Sequence, residues 1–145
     1  MRQVTVERLV HAPAQAIFDV LADPTKHPAI DGSGTVLGRL PAGAERLTLG
    51  AEFGMSMRLG LPYRVTNRVV EFDEGRLIAW AHVGRARWRY QLEPVEAGTR
   101  VRETWDYSRA PLPLAKLLEL TGFPERNRAA MERTLTRLER LVTAD

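Results

Sequence analysis

The 145-residue chain predicts an α+β fold, an antiparallel sheet with one long C-terminal helix laid along its face. Three observations predict it. From Pro124 to about Thr143 the chain reads PERNRAAMERTLTRLERLVT. At ~100° per residue, Ala130, Met131, Leu135, Leu138, Leu141 and Val142 gather, with Asn127 and Thr134, in an arc of roughly 140°, and the arginines and glutamates take the other side. Before that, from Thr35 to Ser108, hydrophobicity alternates with a period of two, the pattern of strands. No second helix of matching length precedes the last one, so its apolar flank is expected to rest on the sheet.

The elements follow in order. Val4 to Val10 interleaves apolar and polar residues as a first strand, which His11-Ala12-Pro13 ends. Pro13 stands where a helix begins, and Ile17, Val20 and Leu21 form one stripe over Ala14 to about Ala22, stopped by Asp23-Pro24. A second helical turn, Pro24 to Ile30, runs up to the breaker Asp31-Gly32-Ser33-Gly34. Strands are then predicted over Thr35–Leu40, Glu52–Leu59, Tyr63–Asp73, Arg76–Val83, Ala86–Glu96 and Thr99–Ser108, with turns at Glu74-Gly75, Gly84-Arg85 and Ala97-Gly98. Ala110-Pro111-Leu112-Pro113 leaves the sheet, Leu114–Leu120 is a brief helix ending at Gly122, and the long helix follows. Nothing in residues 1–145 reads as a linker, repeat or low-complexity segment, so they form one expected domain.

Composition removes several classes of chemistry. With 44% hydrophobic and 27% charged residues the chain can build a core and is no disordered segment. It has no cysteine, which excludes disulfides, thiolate catalysis and cysteine-based metal sites. No apolar run approaches the ~18 residues of a membrane span, and the N-terminus enters a strand pattern directly, so a cytoplasmic address is expected. The net charge of +3 comes from arginines interspersed with glutamates, a salt-bridged surface rather than a nucleic-acid footprint. Asp23, His27 and Asp31 are four residues apart, a metal-binding spacing on a helix, but Pro24 and Pro28 interrupt it. A capped surface turn is expected instead, with no metal and no cofactor. His82 is assigned to the outer surface of the sheet.

Turn positions assign the faces. A tight turn at Ala97-Gly98 pairs Tyr90 with Trp105, Trp88 with Tyr107 and Leu92 with Glu103. A two-residue turn at Gly84-Arg85 sets Ala81 beside Trp88 and Ala79 beside Tyr90, and the turn at Glu74-Gly75 sets Val70 beside Ala79 and Phe72 beside Leu77. The inner face then carries Phe72, Val70, Leu77, Ala79, Ala81, Trp88, Tyr90, Leu92, Trp105 and Tyr107. Asn67, Val69, Ile78 and Trp80 go to the outer face. One residue more at Gly84 would exchange the faces of the earlier strands.

The segments VHAPAQAIFDVLADPTKHPAIDGSG (10–34), RVVEFDEGRLIAWAH (68–82) and RWRYQLEPVEAGTRVRETWDYS (87–108) resemble the START/Bet v 1-like (SRPBCC) superfamily. Within it they are similar to the polyketide cyclase/dehydrase and lipid-transport-like bacterial proteins. The resemblance covers nearly the whole chain and implies the helix-grip fold. There, a curved sheet of about seven strands wraps the last helix, two short helices follow strand one, and an apolar cavity lies between sheet and helix. Its members include carriers, cyclases and chaperone-activating modules, so the fold does not name the function.

Candidate residues follow from the inner face. Glu103 and Arg68 are its charged exceptions, and each needs a partner, a place at the rim or a ligand. Glu103 is the candidate acid or base. Trp88, Tyr90, Trp105, Tyr107 and Phe72 read either as ordinary core or as a pocket wall. Met55 and Met57 stand on a glycine-punctuated strand that can curve or gape. From the helix come Met131 and Leu138, with Asn127 and Thr134 open to two readings, local backbone bonds or hydrogen bonds to a bound molecule. The expected function is binding or carriage of a small hydrophobic or aromatic molecule. The alternatives are a cyclase- or dehydrase-like enzyme using Glu103 and Tyr90, and a protein- or ribosome-interaction module using the arginine flank of the last helix.

Overall fold

The computed structural model describes residues 2–43, 45–81 and 86–144, the side chains of 39–43 and 59 excepted. Strand β1 (Gln3–Val10) is followed by helix α1 (Ala14–Leu21), a 3-10 turn (Pro24–Lys26) and the single-turn helix α2 (His27–Ile30). Six strands come next, β2 (Val36–Gly43), β3 (Glu52–Leu59), β4 (Leu61–Asp73), β5 (Leu77–Ala81), β6 (Arg87–Val95) and β7 (Gly98–Asp106). Helices α3 (Leu112–Leu120) and α4 (Phe123–Thr143) end the chain. The strands form one curved antiparallel sheet in the order β1-β7-β6-β5-β4-β3-β2, the α+β arrangement expected. Each strand neighbours its successor except β1, which crosses to pair with β7 and closes the far edge.

Helix α4 lies against the sheet as its periodicity requires. Met131, Leu135 and Leu138 are at most 1% exposed, and Ala130 and Thr134 are buried beside them. Leu141, from the same arc, is 39% exposed, so the grip loosens toward the end of the helix. The polar side is also tied down. Arg128 donates to the Thr5 carbonyl, Arg133 to that of Gly32, Arg137 to that of Asp31, and Glu139 accepts from Arg8. Among the described residues no helix is long and apolar enough to cross a membrane.

The strand registers correct the expected faces. Between β6 and β7 the turn is Glu96-Ala97, with Val95 opposite Gly98, so Trp88 pairs with Trp105, Tyr90 with Glu103 and Leu92 with Val101. Gly98 is the first residue of β7, not part of the turn. A Cβ there would lie 2.2 Å from the Val10 carbonyl oxygen, so close strand approach is what demands glycine. The shift is two residues and preserves the faces.

Between β5 and β6 the register differs by one residue. Trp80 lies opposite Trp88, Ile78 opposite Tyr90, and Ala79 and Ala81 opposite Arg89 and Arg87. Gly84-Arg85 and His82 lie outside the described residues. The single step exchanges faces, so Trp80 and Ile78 are inner and Ala79 and Ala81 outer. In β4 an irregularity between Val69 and Glu71 absorbs one more residue, putting Val69 opposite Trp80 and Phe72 opposite Ile78 on the inner side. Arg68 does pair with Ala81, but it is outward and exposed. The small alanines serve the outer face. Across Ala79 and Ala81, Glu71 reaches over β5 to accept hydrogen bonds from Arg87 (2.9 Å) and Arg89 (2.9 and 2.8 Å).

Candidate functional site

The inner face and α4 do not meet everywhere, and a cavity of about 430 Å³ remains between them. Strands β3 and β4 contribute Phe53, Met55, Met57, Tyr63, Val65 and Asn67 to its wall, while β5, β6 and β7 contribute Trp80, Trp88, Tyr90, Glu103 and Trp105. Helix α4 supplies Phe123, Arg126, Asn127, Ala130, Met131, Arg133 and Thr134, and α3 supplies Leu114 and Leu118. The α2 segment and the chain beyond it close the remaining side through His27, Ile30, Asp31, Ser33, Thr35 and Val36. Alternation explains the wall, since residues two apart on each strand face the helix.

Glu103 is the centre of the site. It is 2% exposed, and Oε2 accepts a hydrogen bond of 3.0 Å from the Tyr90 hydroxyl directly across the β6–β7 pair. Oε1 is buried without a hydrogen-bond partner among the described residues. Burial raises this carboxyl to about 8, the Tyr90 hydrogen bond opposing the shift and the Asp31 charge adding to it. Burial likewise pushes the Tyr90 phenol well above its ordinary value.

A second buried polar group also lines the cavity. His27 is 7% exposed, its Nε2 is 2.9 Å from the Leu21 carbonyl, and its ring stacks on Trp80 at 4.9 Å with 21° between planes. Since a carbonyl only accepts, the ring proton is on Nε2. Burial lowers its basicity, so the ring is held neutral. The expected surface turn is therefore half right. Asp23 caps it through Thr25 and Asp31 accepts from Ser33 and Val36, but His27 is core. Among the described residues no three histidine or carboxylate side chains are grouped to hold a metal ion.

Of the residues singled out from the sequence, Trp88, Tyr90, Trp105, Glu103, Met55, Met57, Asn127, Met131 and Thr134 line the cavity. Four do not. Arg68 is on the outer face for the register reason above. Tyr107 stacks against Trp105 at 4.5 Å without lining the cavity, and its hydroxyl donates to Glu119 at 2.8 Å. Phe72 packs edge-on against Phe18 at 5.6 Å, and Leu138 is wholly buried farther along α4. Thr134 follows its local reading, since its hydroxyl donates to the Ala130 carbonyl and accepts from the Gly32 amide at 2.8 Å, and the residue also borders the cavity. Trp80, Asn67 and His27 join the wall unannounced; the first two needed the correct register, and no sequence signal marks His27.

A family model described as "Polyketide cyclase / dehydrase and lipid transport" matches residues 1–143. An uncharacterized protein of Mycobacterium tuberculosis strain H37Rv, Rv0088, is 42% identical over 133 residues, covering 89% of this chain. The chain spans 59% of that relative's length. Among solved structures, the KanY protein superposes with a TM-score of 0.76 at 16% identity, over 97% of this chain and 96% of that one. Protein CV1439 from Chromobacterium violaceum gives 0.71 at 18% identity over both whole chains. The AHSA1-like protein from Aeromonas hydrophila gives 0.70 at 15%, over 98% of this chain and 92% of that one. At these identities the structural likeness concerns the fold alone.

Proposed function

The chain belongs to the polyketide cyclase/dehydrase and lipid transport family, and from that premise we propose that it binds and carries one small hydrophobic or aromatic molecule between its sheet and C-terminal helix. The observation that carries this reading is the cavity itself. Its volume of about 430 Å³ lies within the ~300–1,000 Å³ of small-molecule sites, and its wall is mostly rings, methionines and aliphatic side chains, with a polar minority that includes His27, Asp31, Asn67, Glu103 and Asn127. The arginine flank of α4, the basis for an interaction module, is largely engaged in holding the helix to Thr5, Gly32 and Asp31. Native mass spectrometry of the purified protein, followed by titration with a panel of apolar aromatic compounds, tests the proposal. A one-to-one adduct or saturable binding insensitive to salt is expected; no binding below millimolar concentration across the panel would remove it.

The paired Tyr90 and Glu103 favour a second reading, a cyclase- or dehydrase-like enzyme. A buried carboxyl raised to about 8 exchanges protons near neutrality, as a general acid or base must. Glu103→Gln then lowers turnover of a polyketide-like substrate by about 10²–10⁴. A carrier shows no turnover to lose.

A further inference from the structure

Glu103 has an unused atom. Oε2 is occupied by the Tyr90 hydroxyl, while Oε1 is buried and has no hydrogen-bond partner among the described residues, on a residue that lines the cavity. Among the described residues no cation pairs with it. Of the two arginines on the wall, Arg126 lies over the Phe123 ring and Arg133 donates to the Gly32 carbonyl. A carboxylate buried with one hydrogen bond and no counter-ion is costly, so the neutral acid is the favoured form. Because Oε2 already accepts from Tyr90, the acid's own proton sits on Oε1, the oxygen without a partner.

Resting on the reading of the cavity as a ligand site, we infer that its occupant sets a neutral hydrogen-bond acceptor, the carbonyl oxygen of a ketone, ester or quinone, on Glu103 Oε1. Its apolar body would lie among Trp80, Trp88, Trp105, Met55 and Met131. A carbonyl satisfies the orphaned donor, whereas a hydrocarbon leaves it unpaired. An ammonium ligand would instead require the ionised carboxylate.

The interaction is proton-linked. Above about 8 the carboxyl ionises and presents a lone pair to a lone pair, so carbonyl binding weakens. Among the described residues, the other titratable or charged groups on the cavity wall are Tyr90 from β6, Tyr63 from β4, His27 from α2, Asp31 beyond it, and Arg126 and Arg133 from α4. Strand β1 faces Glu103 with Val6. Burial keeps the Tyr90 phenol protonated through the alkaline range and His27 neutral from its ordinary value upward.

Three probes of one tricyclic shape test the inference on the intact protein, namely 9-fluorenone (acceptor), fluorene (neither donor nor acceptor) and 9-aminofluorene (cation). At about pH 6.5 the ketone should bind about tenfold more tightly than fluorene, and at about pH 9.5 that advantage should vanish with fluorene unchanged. Glu103→Gln keeps a donor but cannot ionise, so the ketone's advantage should persist at both pH values; Glu103→Met should abolish it at both while still binding fluorene. The wild-type comparison stands even if a variant fails to fold. Fluorene binding with no ketone preference at low pH, or preference for the amine, overturns the inference and leaves the ligand site standing. If none of the three binds, the ligand-site reading falls and takes the inference with it.

Discussion

Trp80 lies directly opposite Trp88 on neighbouring strands, and both border the same cavity as Trp105. All three tryptophans of the chain therefore report on the site. Titration with 9-fluorenone should quench the intrinsic emission, and each single Trp→Phe variant should lose part of the response. Phenylalanine keeps most of the ring volume, so packing losses should be modest beside the signal change. A Trp80→Phe variant that kept the entire response would mean that the ligand never reaches β5.

The placement of Trp80 also shows where the sequence stopped being legible. Element order, the long helix and its buried arc follow from hydrophobic period, which many residues specify together. Strand faces depend on turn lengths, and one residue decides them. Tyr90 and Glu103 share a face under the expected register and the observed one, because the β6–β7 shift was two. Trp80, Ile78, Val69 and Arg68 changed sides because the β5–β6 step was one, while the β4 irregularity beyond Val69 kept Phe72 on the inner side. Glu103 was legible as an anomaly, a carboxylate in an apolar period. Its bond to Tyr90 was not, since it depends on direct opposition across the strands.

Stability should fall with rising pH because of Glu103. Its carboxyl titrates at 4.5 when unperturbed and at about 8 when buried, so between those values the folded protein retains a proton that the unfolded chain releases. The contribution is full below about 4.5, declines through the neutral range and levels off above about 8. Glu103→Gln cannot ionise, and from about pH 5 to about pH 8.5 its stability relative to wild type should rise on the order of a few kcal/mol. His27, lowered by burial, contributes stability above its ordinary 6.5 that is lost as pH falls; it is present in both proteins and cancels in the difference. Urea denaturation at several pH values measures this, and a flat difference would mean that Glu103 is charged in the folded state.

Leu138 tests the grip of α4 apart from the ligand. Its side chain is fully buried and does not border the cavity. Leu138→Ala should cost about 2–5 kcal/mol in chemical denaturation while the folded fraction binds apolar probes with unchanged affinity. A loss below ~0.5 kcal/mol, the surface range, would mean that the helix is not held as described.

Gly32 tests the other contact of α4, with the segment that closes the cavity. Its amide donates to the Thr134 hydroxyl and its carbonyl accepts from Arg133, both at 2.8 Å. A Cβ at this position would lie 2.2 Å from the Ala130 carbonyl oxygen and 2.7 Å from both the Arg133 Cβ and the Thr134 amide. Backbone atoms cannot yield as a side-chain tip does, so in Gly32→Ala the loop must lift from the helix. Both hydrogen bonds stretch, as does that from Arg137 to the Asp31 carbonyl. Overpacking and weakened hydrogen bonds together predict a loss of about 2–4 kcal/mol. Asp31, Ser33 and Thr35 border the cavity, so affinity for an apolar probe should drop as well. Gly34→Ala is the control. Gly34 has a φ of 75° and open space around its missing Cβ, so its substitution should cost about 1 kcal/mol of backbone strain and leave the α4 contact intact. Thermal and urea unfolding of the two variants separates the effects, and equal losses would show that the approach of Gly32 to α4 adds nothing beyond ordinary loop strain.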